Sequence, residues 1–380
     1  MKVAFLTNFI SPYRRPVFER LAQTEGWEFR VFVNTTGEFD RSWHDSEPHC
    51  HVTHTRSLPI KRRVISREPV YFEQVITLHL PHGLWGDLKD FRPDVIISCE
   101  LGPRTAIAAA YAKAYDIPLI IWSYQSRISA TQSTWRNWLR KLLLNRAEVV
   151  VGMGSQAREV LRHWNVSDDI IIDAPNAADH DSLLHQIENE DVLLKAESIR
   201  NDVGEHEKIA IVVGRLVPMK GTNELIRLWH EVDDTIRNRW RLIFIGNGPL
   251  EKVIHDCRSS RIIHAGHMDP DQIVAWYLAA DLHIFPTLGD VWGLVVNEAM
   301  TCGLTTLCSI HAGCCDDLIE DNVSGIRFDP TDEPAAVKRL TETLIRCDLK
   351  EIGLAGKQKI QSFSLDNLAE SFRKAVKKAA

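Results

Sequence analysis

The chain has 380 residues, a hydrophobic content of 44% and a formal net charge of −6, and this length is enough for two domains of ordinary size. No apolar run approaches the ~20 residues that cross a bilayer. Met1 leads directly into an apolar stretch, so we expect neither a membrane-spanning segment nor a signal peptide. The eight cysteines show neither paired metal spacing nor a disulfide framework, which favours free thiols in a reducing cytoplasm.

Strands and helices alternate along the first half of the chain. Short apolar runs predict strands at Val3–Thr7, Phe29–Val33, Asp94–Cys99, Leu119–Trp122 and Val149–Gly152. Helical patterns lie near Pro16–Gln23, Pro103–Tyr115, Thr131–Arg146 and Ser155–Trp164. Such alternation predicts an α/β fold with a doubly wound parallel sheet. We interpret the polar, helical stretch Pro175–Glu207 as the connection between domains 1–180 and 181–380.

Charge is distributed unevenly between the two halves. Residues 1–180 hold 22 of the 45 Lys and Arg and 20 of the 51 Asp and Glu, a net of +2. Residues 181–380 hold the remaining 23 and 31, a net of −8. This asymmetry suggests that the first half meets something anionic.

The second half repeats the alternation from a buried strand, Ile209–Val213. Gly214, Arg215 and Lys220 follow that strand, at the carboxyl end of the predicted sheet, where open α/β folds bind ligands. An arginine forks onto phosphate oxygens and a lysine adds a point charge. The alternative is a surface loop with two solvated cations.

A strand–loop–helix–strand unit follows further along. Apolar runs predict strands at Leu282–Phe285 and Thr305–Ser309, and between them a helical pattern begins near Gly293 and is closed by Gly303. The first N–H groups of that helix form a site for phosphate oxygens. They belong to Gly293, Leu294 and Val295.

Two acids flank this helix start. Asp290 precedes the helix, and Glu298 lies about 7.5 Å beyond Gly293 along the helix axis. Each acid can accept from hydroxyl groups on one side of a bound phosphate, so the order acid, diphosphate, acid fits a nucleotide sugar. The alternative is that Asp290 caps the helix and Glu298 is solvated surface.

Other phosphate-binding motifs are absent from the sequence. The opening strand is followed by TNFISPYRRP and not by G-x-G-x-x-G, which argues against a dinucleotide dehydrogenase. Gly246-Asn247-Gly248 is a partial match with Glu251 in place of the third glycine, and Met219 replaces the glycine that a P-loop needs before its lysine.

Four stretches of the second half together resemble the retaining glycosyltransferases of family 4 (group 1). These are IVVGRLVPMKGT at Ile211–Thr222, LIFIGNGP at Leu242–Pro249, IIHAGHMDP at Ile262–Pro270 and the Asp290…Glu298 unit. The family usually has Glu at the first acid position, and it commonly has Pro where Thr305 stands. The resemblance implies the GT-B fold: two Rossmann-like doubly wound domains facing a cleft, with the final helix, about 364–380, packing back on the first domain.

The resemblance also implies a function. It predicts a glycosyltransferase that moves a sugar from a UDP- or GDP-sugar to an acceptor with retention of configuration. The acceptor is expected to be a sugar or a lipid-linked sugar and to be held by the first domain. The expected role is the synthesis of bacterial surface polysaccharide or glycolipid. The expected catalytic residues are Arg215, Lys220 and Asp290, and the expected donor-binding residues are Gly214, Gly266, His267, Gly293, Leu294, Val295 and Glu298. A 2-epimerase of the same fold and a catalytically inactive nucleotide-binding module are the alternatives.

Neither a metal nor another cofactor is expected. Asp269-Pro270-Asp271 resembles a metal-binding Asp-x-Asp, but an N-cap aspartate, a proline at the first helical position and Gln272 at the third better indicate a helix start. Many family members have a catalytic histidine in the first domain, but the corresponding place here reads WSYQSR, so we assign no catalytic histidine.

A basic, aromatic helix in the first half suggests membrane contact. No acid lies between Asp116 and Glu148. The stretch holds cations and apolar side chains together: Arg127, Arg136, Arg140, Lys141 and Arg146 with Trp135, Trp138, Leu139, Leu142 and Leu143. A second basic run, Lys61–Arg63 with Arg67, is predicted to lie in a loop. These features favour a cytoplasmic protein that binds an anionic membrane surface peripherally; the alternative is that the apolar side chains pack into the core.

Overall fold

The computed structural model describes residues 1–35, 49–66, 72–127, 134–204, 207–257 and 259–380. Contacts divide the chain into two compact units. Unit 1 contains Met1–Ile65, Glu73–Asn176 and Leu365–Ala380, and Ala177–Ser364 form the bulk of unit 2.

The described residues contain strands and helices in alternation. The strands are β1 Lys2–Thr7, β2 Glu28–Val33, β3 His51–His54, β4 Leu58–Ser66, β5 Phe72–Leu80, β6 Val95–Cys99, β7 Leu119–Ser123, β8 Val149–Gly152, β9 Ile171–Asp173, β10 Lys208–Val213, β11 Trp240–Ile245, β12 Ile262–Gly266, β13 Leu282–Phe285, β14 Thr306–Ser309 and β15 Ile326–Phe328. The helices are α1 Arg15–Ala22, α2 Leu84–Phe91, α3 Pro103–Tyr115, α4 Thr134–Leu144, α5 Ser155–His163, α6 His180–Ile187, α7 Glu190–Val203, α8 Thr222–Glu231, α9 Asp234–Arg237, α10 Glu251–Asp256, α11 Pro270–Ala279, α12 Leu294–Thr301, α13 Cys315–Leu318, α14 Glu333–Ile345, α15 Leu349–Ile360 and α16 Leu365–Ala379.

Each unit is built on one parallel sheet. Within the described residues, the order in unit 1 is β3-β2-β1-β6-β7-β8-β9 and in unit 2 it is β12-β11-β10-β13-β14-β15. Most of the central strands are buried along their length, as strands covered by helices on both faces are. In each sheet the order of the strands changes direction at one place: between β1 and β6 in unit 1, and between β10 and β13 in unit 2. Ligands bind at such switch points in doubly wound sheets.

Helices cover both faces of the sheet in unit 1. The ring of Phe5 on β1 contacts Phe18 of α1 and Phe372 of α16, with ring centroids 4.8 and 5.6 Å apart. The opposite face of β1, with Ala4 and Leu6, packs in a cluster with α2 and α3. The C-terminal helix thus belongs to unit 1, which confirms its predicted return to the first domain.

Ion pairs and hydrogen bonds fix α16 on α1. Arg20 Nε donates to Asp366 Oδ1 at 2.7 Å, and Arg373 Nε donates to Thr24 Oγ1 at 3.1 Å. The apolar face of α16 lies on the sheet, with Phe372 and Val376 fully buried.

The structure adds to one interpretation of the sequence and corrects another. The stretch Pro175–Glu207 is not only a connection, because α6 and α7 are part of unit 2 and Val192 and Ala196 of α7 pack on α11. Lys61–Arg63 lie in strand β4 and not in a loop. Their side chains are exposed, and so are those of Leu58 and Ile60, so residues 58–63 show no alternation of buried and exposed side chains that the sequence pattern could have revealed. Arg67 lies outside the described residues.

Helix α4 confirms the predicted basic helix over the described residues Thr134–Leu144. Residues 131–133 and the side chains of Trp135 and Arg136 lie outside what the structure describes. No helix of the described residues is long and apolar enough to cross a membrane.

Candidate functional site

Two loops meet at the switch point of unit 2. One follows β10, from Gly214 to Gly221, and the other follows β13, from Pro286 to Gly293. They are joined at the carbonyl oxygen of Met219, which accepts from the Leu288 N–H at 2.9 Å and from Thr287 Oγ1 at 3.1 Å. The loop that carries Lys220 and the loop that carries Asp290 are thereby held beside each other.

Glycines allow this close approach of backbone to backbone. A Cβ on Gly221 would lie 1.9 Å from the Pro286 carbonyl oxygen, and one on Gly246 would lie 2.0 Å from that of Gly214. Both glycines also have positive φ, +73° and +131°, a region that other residues adopt at a cost. Glycine is therefore required at positions 221 and 246 by backbone packing alone, independently of any ligand.

Lys220 and Asp290 form an ion pair across the switch point, from Nζ to Oδ2. Asp290 is fixed by its backbone, because its N–H donates to His311 O at 3.3 Å and its carbonyl accepts from the Gly313 N–H at 3.0 Å. The structure thus brings together two of the three residues predicted to be catalytic. Arg215, the third, lies on the same loop as Lys220, and its side chain is exposed.

Helix α12 starts beside this ion pair. Its N-cap is Gly293, with φ +106°, where a Cβ would lie 2.6 Å from a ring carbon of Phe285. The N–H groups of its first turn, at Leu294 and Val295, have no carbonyl partner within the helix, as at every helix start. Trp292, directly before the N-cap, is tied to the helix because its buried Nε1 donates to Asn297 Oδ1 at 2.8 Å. The predicted helix start is confirmed, and so is its closure, since Gly303 follows the C-cap with φ +76°.

Glu298 is partly buried on α12 and is not solvated surface. Its Oε2 accepts from the Tyr277 hydroxyl at 3.0 Å. Burial raises the pKa of the Glu298 carboxyl to about 7, and the Tyr277 hydrogen bond opposes part of that shift. A ligand group that donates a hydrogen bond to the Glu298 carboxyl lowers its pKa, because such bonds favour the ionised form.

Gly266 ends β12 and His267 follows it, at the same edge of the sheet and two strands away from β10. Gly266 is hydrogen-bonded through its carbonyl to the Gly246 N–H at 2.8 Å, and His264 Nε2 lies 2.8 Å from Gly246 O. The side chain of His267 is exposed. All ten residues predicted for the site therefore lie at the carboxyl edge of the unit 2 sheet or on α12, which starts there.

The Asp-x-Asp sequence is a helix start, as predicted. Helix α11 begins at Pro270, and Gln272 Oε1 accepts from the Asp269 N–H at 3.2 Å in a capping box. Within the described ranges, no group of three or more His, Cys, Asp and Glu is placed to hold a metal ion. All eight cysteines are free thiols.

Sequence reasoning missed the residues that support the site. Tyr277 and Trp292 orient Glu298 and α12, but in the sequence they are indistinguishable from ordinary core aromatics. In the sequence, Glu251 is only a departure from a glycine pattern. Its Oε1 accepts from the Gly248 N–H at 2.7 Å and closes the Gly246–Gly248 turn.

The comparisons with known proteins cover both halves of the chain. Residues 195–352 match the family described as glycosyl transferases group 1, and residues 10–176 match the glycosyl transferase 4-like domain. The sulfoquinovosyl transferase SQD2 of Arabidopsis thaliana is 25% identical over 319 residues, which are 78% of this chain and 58% of that protein. The chain therefore spans less than two thirds of this relative.

Solved structures of similar fold cover the whole chain. HepE of Anabaena, solved in complex with UDP, has a TM-score of 0.75 and 16% identity, and the match covers 99% of this chain and 100% of that one. The sucrose-phosphate synthase of Thermosynechococcus elongatus has a TM-score of 0.74 and 16% identity, with 100% and 98% covered. Both halves of the chain match glycosyltransferase families, and each half is built on a parallel sheet. The chain therefore belongs to the group 1 glycosyltransferases of family 4, and its fold is GT-B.

Proposed function

We propose that this protein transfers a sugar from a nucleotide-sugar donor, a UDP- or GDP-sugar, to an acceptor hydroxyl with retention of configuration. The observation that carries the proposal is the Lys220–Asp290 ion pair at the N-terminus of α12, with the partly buried Glu298 further along the same helix. HepE, of similar fold, was solved with UDP and with UDP-glucose, which supports a donor of this class.

The diphosphate of the donor is bound by positive groups of the switch point. Arg215, Lys220 and the first N–H groups of α12 face the oxygens on which charge develops as the glycosidic bond breaks, and such preorganised donors stabilise that charge. Gly214 and Gly293 let the backbone approach the phosphates closely. Asp290 accepts from hydroxyls of the donor sugar, and its ion pair with Lys220 holds it in place.

The nucleoside lies on the other side of the diphosphate. Glu298 accepts from the ribose hydroxyls, and the backbone at Gly266 and His267 contacts the base. The acceptor oxygen forms a bond to the anomeric carbon as the bond to the diphosphate breaks, on the same face. The acceptor proton passes to a phosphate oxygen of the leaving nucleoside diphosphate, so this step requires no metal and no histidine of the protein.

Product analysis distinguishes this function from the two alternatives. The wild-type protein is incubated with UDP- and GDP-sugars, with and without simple sugar and lipid-linked acceptors, and products are followed by NMR. A glycosyltransferase releases nucleoside diphosphate and forms a glycoside with the anomeric configuration of the donor. A 2-epimerase alters the sugar without an acceptor, and an inactive module binds nucleotide without turnover; either result contradicts the proposal.

We further propose that the acceptor is presented at an anionic membrane surface on the cytoplasmic side, in the synthesis of bacterial surface polysaccharide or glycolipid. The support comes from α4 of unit 1, where the side chain of Trp138 is 62% exposed and those of Leu139 and Leu142 are 39% and 44% exposed. These side chains do not pack into the core. Lys141 and Arg146 belong to the same stretch of the chain, which contains no acid, and such positive charge complements that of anionic lipid.

A further inference from the structure

A cavity of about 300 Å³ opens at the amino edge of the unit 2 sheet, opposite the loops that carry Lys220 and Asp290. It lies where β10, β13 and β14 begin, and it is closed by the ends of α11 and α12 and by the start of α15. All of its lining residues belong to unit 2. Its volume is at the lower end of the range for small-molecule sites, so it fits a molecule smaller than a nucleotide sugar.

Close packing holds the walls of this cavity in place. A Cβ on Gly353 of α15 would lie 2.1 Å from the Gly303 carbonyl oxygen, so glycine is needed for the helix to approach this closely. Thr305 Oγ1 donates to the Leu349 carbonyl and ties the start of β14 to the same helix. Thr305 stands where the family commonly has proline, which could not make this bond. The cavity is therefore built into the packing between α12, β14 and α15.

Two of the four charged residues that line the cavity are neutralised by partners. Asp281 Oδ2 accepts from Arg200 Nη1 at 2.7 Å and from the Ile209 N–H at 2.8 Å. Arg346 donates from Nε and Nη2 to the two carboxylate oxygens of Asp348, at 2.8 and 2.7 Å. An anion that enters the cavity thus meets an aspartate whose charge is already compensated.

The other two charged residues are lysines. Lys208 begins β10, with its Nζ 5.2 Å from the centroid of the Trp240 ring, and Lys350 is exposed at the start of α15. Neither lysine forms an ion pair with a residue that the structure describes. Asp348, the N-cap of α15, is turned to Arg346 and makes no side-chain cap hydrogen bond, so the first turn of this helix adds to the positive character around Lys350. The cavity therefore carries two uncompensated positive charges.

The inner wall of the cavity is shared with the residues that hold Glu298. Tyr277 and Cys302 both line it. The Tyr277 hydroxyl donates to Glu298 Oε2 at 3.0 Å, and the Cys302 N–H donates to Glu298 O at 3.1 Å, one turn further along α12. A molecule in the cavity thus lies behind the carboxyl that the proposed function assigns to the ribose.

We propose that this cavity binds a small phosphate-bearing anion, either inorganic phosphate or a sugar phosphate, and that the bound anion weakens donor binding at the opposite edge of the sheet; the second part rests on the proposed function. Two ammonium groups match a phosphate that carries about two negative charges at neutral pH. A negative charge added near Glu298 opposes the ionisation of its carboxyl. Because the ionised form accepts from the ribose hydroxyls, the affinity for the nucleotide falls.

The exposed thiol of Cys347, which lines the same cavity, reports its occupancy directly. Alkylation of Cys347 by iodoacetamide is followed by mass spectrometry at matched ionic strength, with inorganic phosphate, glucose 1-phosphate, glucose 6-phosphate or uncharged glucose. At least one phosphate compound should slow the alkylation in a saturable way, and glucose should not. Protection by inorganic phosphate assigns the site to the free ion, whereas protection only by an ester assigns it to a sugar phosphate.

Lysine variants show whether the charges of the cavity are responsible. Lys208→Gln and Lys350→Gln should each raise the protecting concentration about tenfold, because hydrogen bonds to charged groups are worth a factor of this size. Lys338→Gln is the matched control, since Lys338 is an exposed lysine of α14 in the same unit; it should leave protection unchanged. Lys220→Ala should also leave protection unchanged, which separates the cavity from the proposed diphosphate site.

Two results of this experiment overturn the proposal. One is that no phosphate compound protects Cys347 in the wild-type protein. The other is that Lys208→Gln and Lys350→Gln are protected at the same concentrations as the wild type. Either result leaves the proposed function standing, because neither measurement involves the donor.

Titration with UDP and GDP tests the effect on the donor site. At pH 7, a saturating concentration of the protecting compound should weaken nucleotide binding about fivefold or more in the wild type, as is typical of coupling between two sites. The effect should be smaller in Lys350→Gln and absent in Glu298→Gln, whose amide does not ionise. Equal weakening in wild type and Lys350→Gln would mean direct competition for the diphosphate site and would refute the coupling. If neither nucleotide binds, the proposed function fails, and Cys347 protection still reports on the cavity.

Discussion

Lys220 and Asp290 form an ion pair across the switch point of the second sheet, although 70 residues separate them in the chain. The Lys220 side chain is 29% exposed and that of Asp290 is 16% exposed. In the absence of a donor each charge is thus neutralised by the other. In the proposed complex Lys220 turns to the diphosphate and Asp290 to the sugar, so the pair keeps both groups in place before the donor arrives.

Replacement of Arg215 or Lys220 by alanine is expected to lower kcat with the fold intact. In the proposed mechanism each residue supplies a positive charge to the leaving diphosphate, and loss of one preorganised donor costs on the order of 10²–10³ in rate. Arg227→Ala is the control, because Arg227 is an exposed cation on α8, next to the same loop in sequence, and pairs with Glu333. Turnover near that of the wild type in Arg215→Ala or Lys220→Ala would remove that residue from the mechanism.

The affinity for nucleoside diphosphate should depend on pH through Glu298. Burial raises the pKa of this carboxyl from 4.5 to about 7, and ribose hydroxyls donate to its ionised form. Affinity should therefore rise about tenfold between pH 6 and pH 8 as the carboxyl ionises. Calorimetric titrations of wild type and Glu298→Gln at pH 6, 7 and 8 isolate this effect, because ionisation of the nucleotide's own phosphate is common to both proteins.

Thermal stability gives an independent check on the same group. A carboxyl whose pKa is raised in the folded state stabilises the fold below its ordinary pKa, and that contribution is lost as the pH rises through about 7. Glu298→Gln should therefore melt close to the wild type at pH 4.5 and above it at pH 8. Equal melting temperatures at pH 8, together with parallel pH profiles for binding, would show that Glu298 is not the titrating group.

Gly221→Ala should destabilise the protein and weaken nucleotide binding. The new Cβ would lie 1.9 Å from the Pro286 carbonyl oxygen, so the two loops that carry Lys220 and Asp290 would be forced apart. We expect about 1–3 kcal/mol from overpacking in addition to about 1–2 kcal/mol from the positive φ. Gly26→Ala measures the cost of the positive φ alone, because Gly26 has a similar φ of +77° and a Cβ added there would meet no atom within 4 Å. Equal losses in urea denaturation of the two variants would contradict the packing argument.

Helix α4 is expected to bind anionic liposomes at low salt. The exposed Trp138, Leu139 and Leu142 enter the interface, and each nearby cation contributes about 1 kcal/mol that salt screens. Trp138→Ser should reduce sedimentation with anionic liposomes. Leu354→Ser is the control, because Leu354 is a similarly exposed apolar side chain, 58% exposed, on α15 of unit 2. Wild-type protein that ignores anionic liposomes at low salt would favour a soluble acceptor.

The sequence predicted the strand and helix pattern of the sheets and the start of α12, because buried parallel strands are continuous apolar runs and glycines mark the tight turns. It failed at β4, where the charged residues Lys61–Arg63 lie in a strand and residues 58–63 are all exposed. The sequence also did not decide whether Glu298 is buried or solvated. A glutamate that is partly buried and hydrogen-bonded to Tyr277 cannot be distinguished from a solvated one by the residues around it in the chain. The cavity at the amino edge of the unit 2 sheet joins residues from β10 to α15, and no local pattern could have indicated it.

In the proposed function, the switch point of unit 2 binds the nucleoside diphosphate of a sugar donor without a metal. Isothermal titration of the wild-type protein with UDP, GDP and ADP in the presence of EDTA measures this binding. We expect saturable binding of UDP or GDP that is weakened in Lys220→Ala and Glu298→Ala and retained in Arg227→Ala. Absence of binding for all three nucleotides, or binding that requires added Mg²⁺ or Mn²⁺, would contradict it.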